Sequence, residues 1–176
     1  TVRPESFQTV KALKQSGLQH LVMLTGDNEL AASYVGSQVQ VDAVHAGLLP
    51  EDKVEVITGL KDRFGQVAMV GDGVNDAPAL ASASIGIAMG AAGTDVALET
   101  ADIALMSDDI SKLPYLINLS QRAVKVIKQN IAFSLFVVVA LILATFSGYL
   151  NLTAGVIGHE GSALLVILNG MRLLRK

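Results

Sequence analysis

The sequence predicts an α/β layer domain with a mostly parallel sheet, followed by a hairpin of two membrane-crossing helices. Three observations point there. Through residues 1 to 121, short apolar runs that break off in Gly, Asp and Asn alternate with amphipathic segments, the order expected of a strand, loop and helix chain. From Ile131 to Gly158 no residue is charged, and ~20 mostly apolar residues are enough to cross a bilayer. The charges divide in the same place. Residues 1 to 121 hold 15 of the 16 acidic residues and 7 of the 13 basic ones, whereas residues 122 to 176 hold six basic residues and one acid, Glu160. The expected boundary therefore falls between residues 121 and 122.

Taken in order, Phe7, Val10 and Leu13 recur every three residues and Gly17 follows, which predicts a short amphipathic helix over residues 5 to 16. His20 to Leu24 is an apolar run broken by Thr25-Gly26-Asp27, as a buried parallel strand would be. Asp27 or Asn28 can cap a helix over residues 29 to 39. Ala43 to His45 is a weaker strand, and Pro50-Glu51-Asp52 opens a helix with a proline and two acids where the helix dipole favours them. Gln66 to Val70 is the second strong strand and breaks at Gly71-Asp72-Gly73. Residues 76 to 83 can be helical, and Ile85 to Ala88 and Ile103 to Met106 are further strands. The first membrane span is expected from Ile131 to Tyr149 and the second from Leu152 to Arg172, with Gly148 and Asn151 in the turn. Arg122, Lys125 and Lys128 precede the first span, and Arg172, Arg175 and Lys176 close the second. The positive-inside rule then puts both outer ends in the cytosol.

Composition excludes several classes. No cluster of Lys and Arg interleaved with aromatics suggests nucleic acid as a partner. The absence of cysteine excludes disulfides and thiolate metal sites from this chain. Thr1 is not followed by a signal-type sequence, so an internal start is expected, with more of the same protein upstream.

Carboxylates at the C-terminal ends of neighbouring parallel strands converge on one crevice. The stretch Gly71 to Asp76 (GDGVND) brings Asp72, Asn75 and Asp76 together among glycines that allow a sharp turn. Oxygen-only donors of this kind suit Mg²⁺, which takes one or two carboxylates plus phosphate and water. The competing reading is a polar turn without a ligand, although two close carboxylates repel unless a cation or proton lies between them. Thr25, Gly26 and Asp27 offer a hydroxyl and backbone amides to a phosphate oxygen. Lys53 can set a fixed positive charge against a phosphoryl group, or be an exposed lysine at a helix start. Asp72 and Asp76 are expected within a few ångströms of each other and of Thr25, at the C-terminal edge of one parallel sheet.

The motifs TGDN (25 to 28), LLPEDK (48 to 53) and GDGVNDAPAL (71 to 80), with RPE (3 to 5) ahead of them, closely resemble the P-type ATPases. The resemblance spans essentially the whole chain. It implies a phosphorylation domain of the haloacid-dehalogenase-like, Rossmann-like fold in which Thr25 contacts the phosphoryl group, Lys53 offsets its charge and Asp72 holds Mg²⁺. Asn75 and Asp76 would line the same site, with ATP used by the intact protein. In this family the aspartate that accepts phosphate lies in a DKTG-type motif, and none occurs in these 176 residues. The chain alone is therefore expected not to form a phosphoenzyme.

Within the second span stand His159 and Glu160, and ionisable residues inside an apolar helix point to function. Imidazole nitrogen and carboxylate oxygen both ligate borderline divalent ions such as cobalt or zinc. The alternative is a solvated pair near the outer surface. HEGSALLVILNGMRLL (159 to 174) resembles the last helix of heavy-metal-transporting members, the cobalt-type subgroup in particular, with Ser162 as a further candidate ligand and Ala163 where that pattern has Thr. The Tyr-Asn and Met-Ser-Ser patterns of copper-type members are missing, as are the span lysine and aspartate of zinc/cadmium/lead-type members. The resemblance thus implies part of an integral membrane transporter of a divalent heavy-metal ion, with its soluble part in the cytoplasm. Two other functions compete with it: a membrane-anchored phosphatase of the same fold, which would carry its own DxD nucleophile motif, and a non-catalytic membrane module.

Overall fold

The computed structural model describes residues 2–72, 75–90, 99–148 and 151–174. Gly73 and Val74 of the GDGVND loop, Tyr149 at the end of the first predicted span, and Arg175 and Lys176 lie outside the described residues, as does Thr1. The chain divides into two compact units, Thr1–Pro114 and Tyr115–Lys176.

The first unit runs α1 (Ser6–Gln15), β1 (Val22–Leu24), α2 (Glu29–Val39), β2 (Ala43–His45), α3 (Pro50–Phe64), β3 (Ala68–Gly71), α4 (Ala77–Ser82), β4 (Ile85–Met89) and β5 (Ile103–Leu105). Every strand pairing is parallel, as strands joined by helical crossovers must be. Asn28 is the cap of α2, its side chain accepting from the Ala31 amide at 3.0 Å. Asp52 reaches back to the Leu49 amide at 2.9 Å and fixes the start of α3, the role that an acid three residues into a helix serves.

Sequence patterning suggests one sheet, and the structure corrects this. β1 and β2 form a two-stranded sheet, and β3, β4 and β5 a separate three-stranded one in that order. The core lies with the second sheet, where Ile57, Met69, Ala79, Leu80 and Ala88 are buried together. Gly86 lets β4 approach α4 closely, since a Cβ there would stand 2.8 Å from the Leu80 carbonyl oxygen. The first sheet is tied down at its start instead. Lys14 of α1 donates to Asp42 Oδ1 at 2.6 Å and the Leu21 amide to Asp42 Oδ2 at 2.8 Å.

That arrangement makes an acid-sensitive tie. The bond from Lys14, and then the Leu21 amide, hold the Asp42 carboxyl below its ordinary range. A carboxyl depressed in the folded state stabilises above its unfolded pKa of about 3.9 and loses that contribution as the pH falls further. Asp42→Asn should therefore flatten the acid side of a plot of thermal midpoint against pH while leaving its slope near neutrality unchanged. The side chains are about a third exposed, so the loss at neutral pH should stay within about 1 kcal/mol.

The second unit holds α5 (Lys112–Phe146) and α6 (Leu152–Met171), whose first residues, Lys112 to Pro114, belong to the first unit. Both are long and apolar enough to cross a membrane. The helix carrying the first span begins nineteen residues before Ile131, at Lys112. No residue between breaks it, because Pro114 sits in the first turn, where its missing N–H has no partner to lose. At 35 residues it is about 52 Å long, against ~30 Å of bilayer hydrocarbon, so the part with Arg122, Lys125 and Lys128 extends past the uncharged stretch. Gly148 takes the left-handed conformation the turn needs (φ 73°), and Asn151 caps α6 by accepting from the Ala154 amide at 2.8 Å.

Candidate functional site

Two loops leave the C-terminal ends of β1 and β3. In the first, the Thr25 amide donates to the His45 carbonyl at 3.0 Å, and the Leu48 amide donates to the Thr25 carbonyl at the same distance. The Gly47 amide donates to the Asp27 carbonyl at 2.8 Å, so the segment leading into α3 is laced to the Thr25 loop. Gly26 suits this proximity, since a Cβ there would meet the Leu48 carbonyl oxygen at a tight 3.3 Å. The Thr25 hydroxyl accepts from the Asp27 amide at 3.1 Å, which occupies one of the amides that sequence analysis offers to a phosphate and leaves the hydroxyl hydrogen to donate elsewhere.

In the second loop, Asp72 Oδ1 accepts from the Asn75 amide at 3.3 Å. Asp76 folds back over the strand end, where a Cβ on Gly71 would come within 2.7 Å of its Oδ2. That glycine therefore makes room for the Asp76 carboxylate. Lys53, in the first turns of α3, donates to Asp76 Oδ1 at 2.5 Å, with both side chains largely buried at 14% and 16% exposure. A charge pair withdrawn from water this far is costly to break from one side, on the order of 3–5 kcal/mol. An ammonium carries three donors, and Asp76 takes one.

The two loops face a common space. The edges of β1 and β3 that do not take part in their own sheets bound a cavity of about 490 Å³, lined by Met23 and Leu24 on one side and Met69 and Val70 on the other, with Asp76 also in its wall. A second cavity of similar volume touches Met23, Val70, Gly71 and Asp72. The structure thus joins Lys53 to Asp76 and Asp72 to Asn75, and places Thr25 and Asp72 after two strands that flank the same gap.

The donor chemistry fits Mg²⁺. Among the described residues no group of three or more His, Asp and Glu side chains gathers, and magnesium needs only one or two carboxylates when phosphate and water complete its shell. Asp72 and Asp76 carry carboxylate oxygens of this kind, one of those on Asp76 being engaged by Lys53.

In the second unit, His159 Nδ1 and Glu160 Oε1 lie 3.6 Å apart, with side chains 65% and 74% exposed. Ser162, one turn on from His159 and half-buried where that pair is exposed, donates its hydroxyl to the His159 carbonyl at 2.6 Å. The sequence marks Asp52 as an acid at the start of a helix but gives no sign of Asn169, whose partner lies 39 positions away.

Comparison with known proteins bears on both units. A family profile described as haloacid dehalogenase-like hydrolase matches residues 1–84. A cadmium-transporting ATPase named as probable in Listeria monocytogenes is 49% identical over 99% of this chain and 24% of that protein. A zinc-transporting ATPase of Bacillus subtilis (strain 168) is 51% identical over 99% of this chain and 27% of its own length. The crystal structure of a zinc-transporting PIB-type ATPase in its E2.Pi state superposes with a TM-score of 0.91 at 42% identity, over 99% of this chain and 28% of that one. The chain belongs to the P-type ATPases. It spans about a quarter of the length of these P-type ATPase relatives, and its first unit has the haloacid-dehalogenase-like fold of their class. The catalytic domain of the CPx-ATPase CopB-B matches 65% of the chain at 37% identity with a TM-score of 0.59.

Proposed function

We propose that this P-type ATPase chain supplies the Mg²⁺ and phosphate site, and part of the membrane ion site, of an ATP-driven transporter of a divalent heavy-metal cation. The observation that carries the reading is the largely buried Lys53–Asp76 pair beside the two strand ends, in a chain whose second unit holds two helices of membrane-spanning length. Relatives named for cadmium and for zinc support a heavy-metal ion. The His159-Glu160-Gly161 motif is what favours a cobalt-type ion among these.

The roles follow from the donors. Thr25 holds a phosphoryl oxygen through its hydroxyl, beside the Gly26 amide, while the Asp27 amide orients that hydroxyl. Lys53, with two donors beyond the one given to Asp76, places its charge against the developing negative charge of phosphoryl transfer. Asp72 and Asp76, backed by Asn75, would hold Mg²⁺, which supplies positive charge to the phosphate oxygens. The aspartate that takes the phosphate comes from another segment of the protein. The gap between β1 and β3, bounded by two unpaired parallel edges, suits one further strand ending at the level of Thr25 and Asp72, and we assign the acceptor to that strand. His159 and Glu160 provide nitrogen and oxygen donors to the transported ion, with Ser162 a lesser contributor because a neutral hydroxyl is a weaker ligand than an imidazole or a carboxylate.

The test is metal-stimulated ATP hydrolysis by the full-length protein in proteoliposomes, with Zn²⁺, Cd²⁺ and Co²⁺ added in turn. At least one should raise turnover severalfold. ATP or phosphate-ester hydrolysis indifferent to all three would support the membrane-anchored phosphatase reading instead.

A further inference from the structure

The hairpin carries a polar contact that the phosphate and ion chemistry does not use. Asn169 Nδ2 of α6 donates to Asn130 Oδ1 of α5 at 2.8 Å, a part-buried bond between side chains. It lies 3.5 Å from Gln129 Oε1 as well. Asn169 Oδ1 in turn accepts from Arg172 Nη1 at 3.0 Å. Three turns away the helices touch again, where a Cβ on Gly158 would stand 3.2 Å from Leu141 Cδ2. Eleven residues separate the two contacts on each helix, so both belong to one antiparallel register over roughly 16 Å.

The side-chain pattern explains why this register needs a polar bond. On α5 the half-buried residues of the span and the turns before it are Ala123, Val126, Asn130, Val137, Leu141 and Ala144, the three-and-four spacing of a helix seam. Asn130 is the only one among them with a hydrogen-bonding side chain. The facing stripe of α6 holds Gly155, Gly158, Gly161 and Gly170 beside Ser162, Val166 and Asn169, small residues among them letting the two backbones approach closely. In hydrocarbon, where no hydrophobic effect drives helices together, such packing and interhelical hydrogen bonds carry the association. A single buried asparagine is the device that fixes register in a helix seam.

From these contacts we infer that Asn130 and Asn169 are positioning residues for the membrane ion site: their bond sets the register and rotation of α6, and so the direction in which His159 and Glu160 are presented. This rests on the reading of that pair as ion ligands. Gly158 lies on the stripe that touches α5, and Glu160, two residues on, is about 200° around the helix from it. Its side chain is 74% exposed in the structure. A slip or rotation of α6 would turn the carboxylate toward α5 or lipid without altering any ligand.

Two readouts test this. The chain has no cysteine, so Leu141→Cys with Gly158→Cys gives a clean pair for a short bifunctional thiol reagent in lipid vesicles. Asn130→Leu and Asn169→Leu should each reduce that cross-link severalfold and spread reaction to cysteines placed one residue away on α6, whereas Asn130→Asp, which keeps the acceptor, should preserve it. Leucine is at home in a membrane helix, so circular dichroism should show both helices retained. In the full-length protein the same leucine variants should raise the metal concentration for half-maximal ATPase stimulation about 3- to 15-fold, the size of one interhelical hydrogen bond. Phosphorylation by inorganic phosphate should be unchanged. Leucine variants that cross-link as the parent does would overturn the register role. If the register is lost with no change in metal requirement, while His159→Ala still abolishes stimulation, the positioning role is wrong and the ion-site reading stands. If neither the asparagine nor the His159 and Glu160 variants change the metal requirement, the ion-site reading has failed and the positioning role with it.

Discussion

Asp72→Ala in the full-length protein is expected to lower phosphoenzyme formation from ATP by roughly a hundred- to a thousand-fold, the scale on which loss of one electrostatic partner of a transition state is felt. Asp72 stands at the end of β3 beside the gap shared with β1, and its Oδ1 accepts from the Asn75 amide at 3.3 Å. Its removal takes away an oxygen donor without opening the core, so the fold should survive. Lys53→Met should cost a comparable factor and stability in addition. Asp76 would then be left as a largely buried carboxylate without its cation, a change of several kcal/mol. The pair of variants separates the roles: both should lose the acid-stable phosphorylated species on a gel, and Lys53→Met alone should show a clearly lowered thermal midpoint. A phosphoenzyme at near wild-type level in Asp72→Ala would remove Asp72 from the site.

Much of this architecture is legible in the sequence because its signals are local. The apolar runs that stop at Thr25 and Gly71, the Asn28 cap, and the proline and acids opening α3 each act within a few residues of the structure they produce, and β2 and the helix over Glu29–Val39 fall where the pattern puts them. Features set by distant partners are not legible in this way. Nothing near Met23 or Val70 tells that their strands lie in separate sheets, since pairing is decided across tens of residues. Lys53 meets Asp76 across 23 positions, and only the resemblance of the motifs to a family links the two beforehand. The early start of α5 was missed for a different reason. Hydropathy marks where a helix is apolar, and residues 112 to 130 are helical but polar on one side. The Asn130–Asn169 bond spans 39 positions, and an asparagine in an apolar stretch reads equally as a cap or as a core polar residue until its partner is seen.

His159→Ala or Glu160→Ala should abolish metal-stimulated ATP hydrolysis in the full-length protein while phosphorylation from inorganic phosphate persists. The expectation follows from where the donors stand. His159 and Glu160 belong to α6 and approach each other at 3.6 Å, whereas Thr25, Lys53, Asp72 and Asp76 belong to a separate compact unit. Removing the membrane pair leaves the phosphate-binding donors as they are. A divalent ion leaving water for the membrane must replace its hydration with protein donors, and with so few available the loss of one strong donor should cost far more than a surface substitution would. Ser162→Ala should matter less, because a neutral hydroxyl is a weaker ligand for a divalent ion than the imidazole or the carboxylate. The measurement is a titration of ATP hydrolysis against Zn²⁺, Cd²⁺ and Co²⁺ beside a phosphorylation assay with inorganic phosphate on the same preparations. Stimulation that survives near wild-type level in both the His159 and Glu160 variants would make the pair a solvated feature of the helix start and end its assignment to the transported ion.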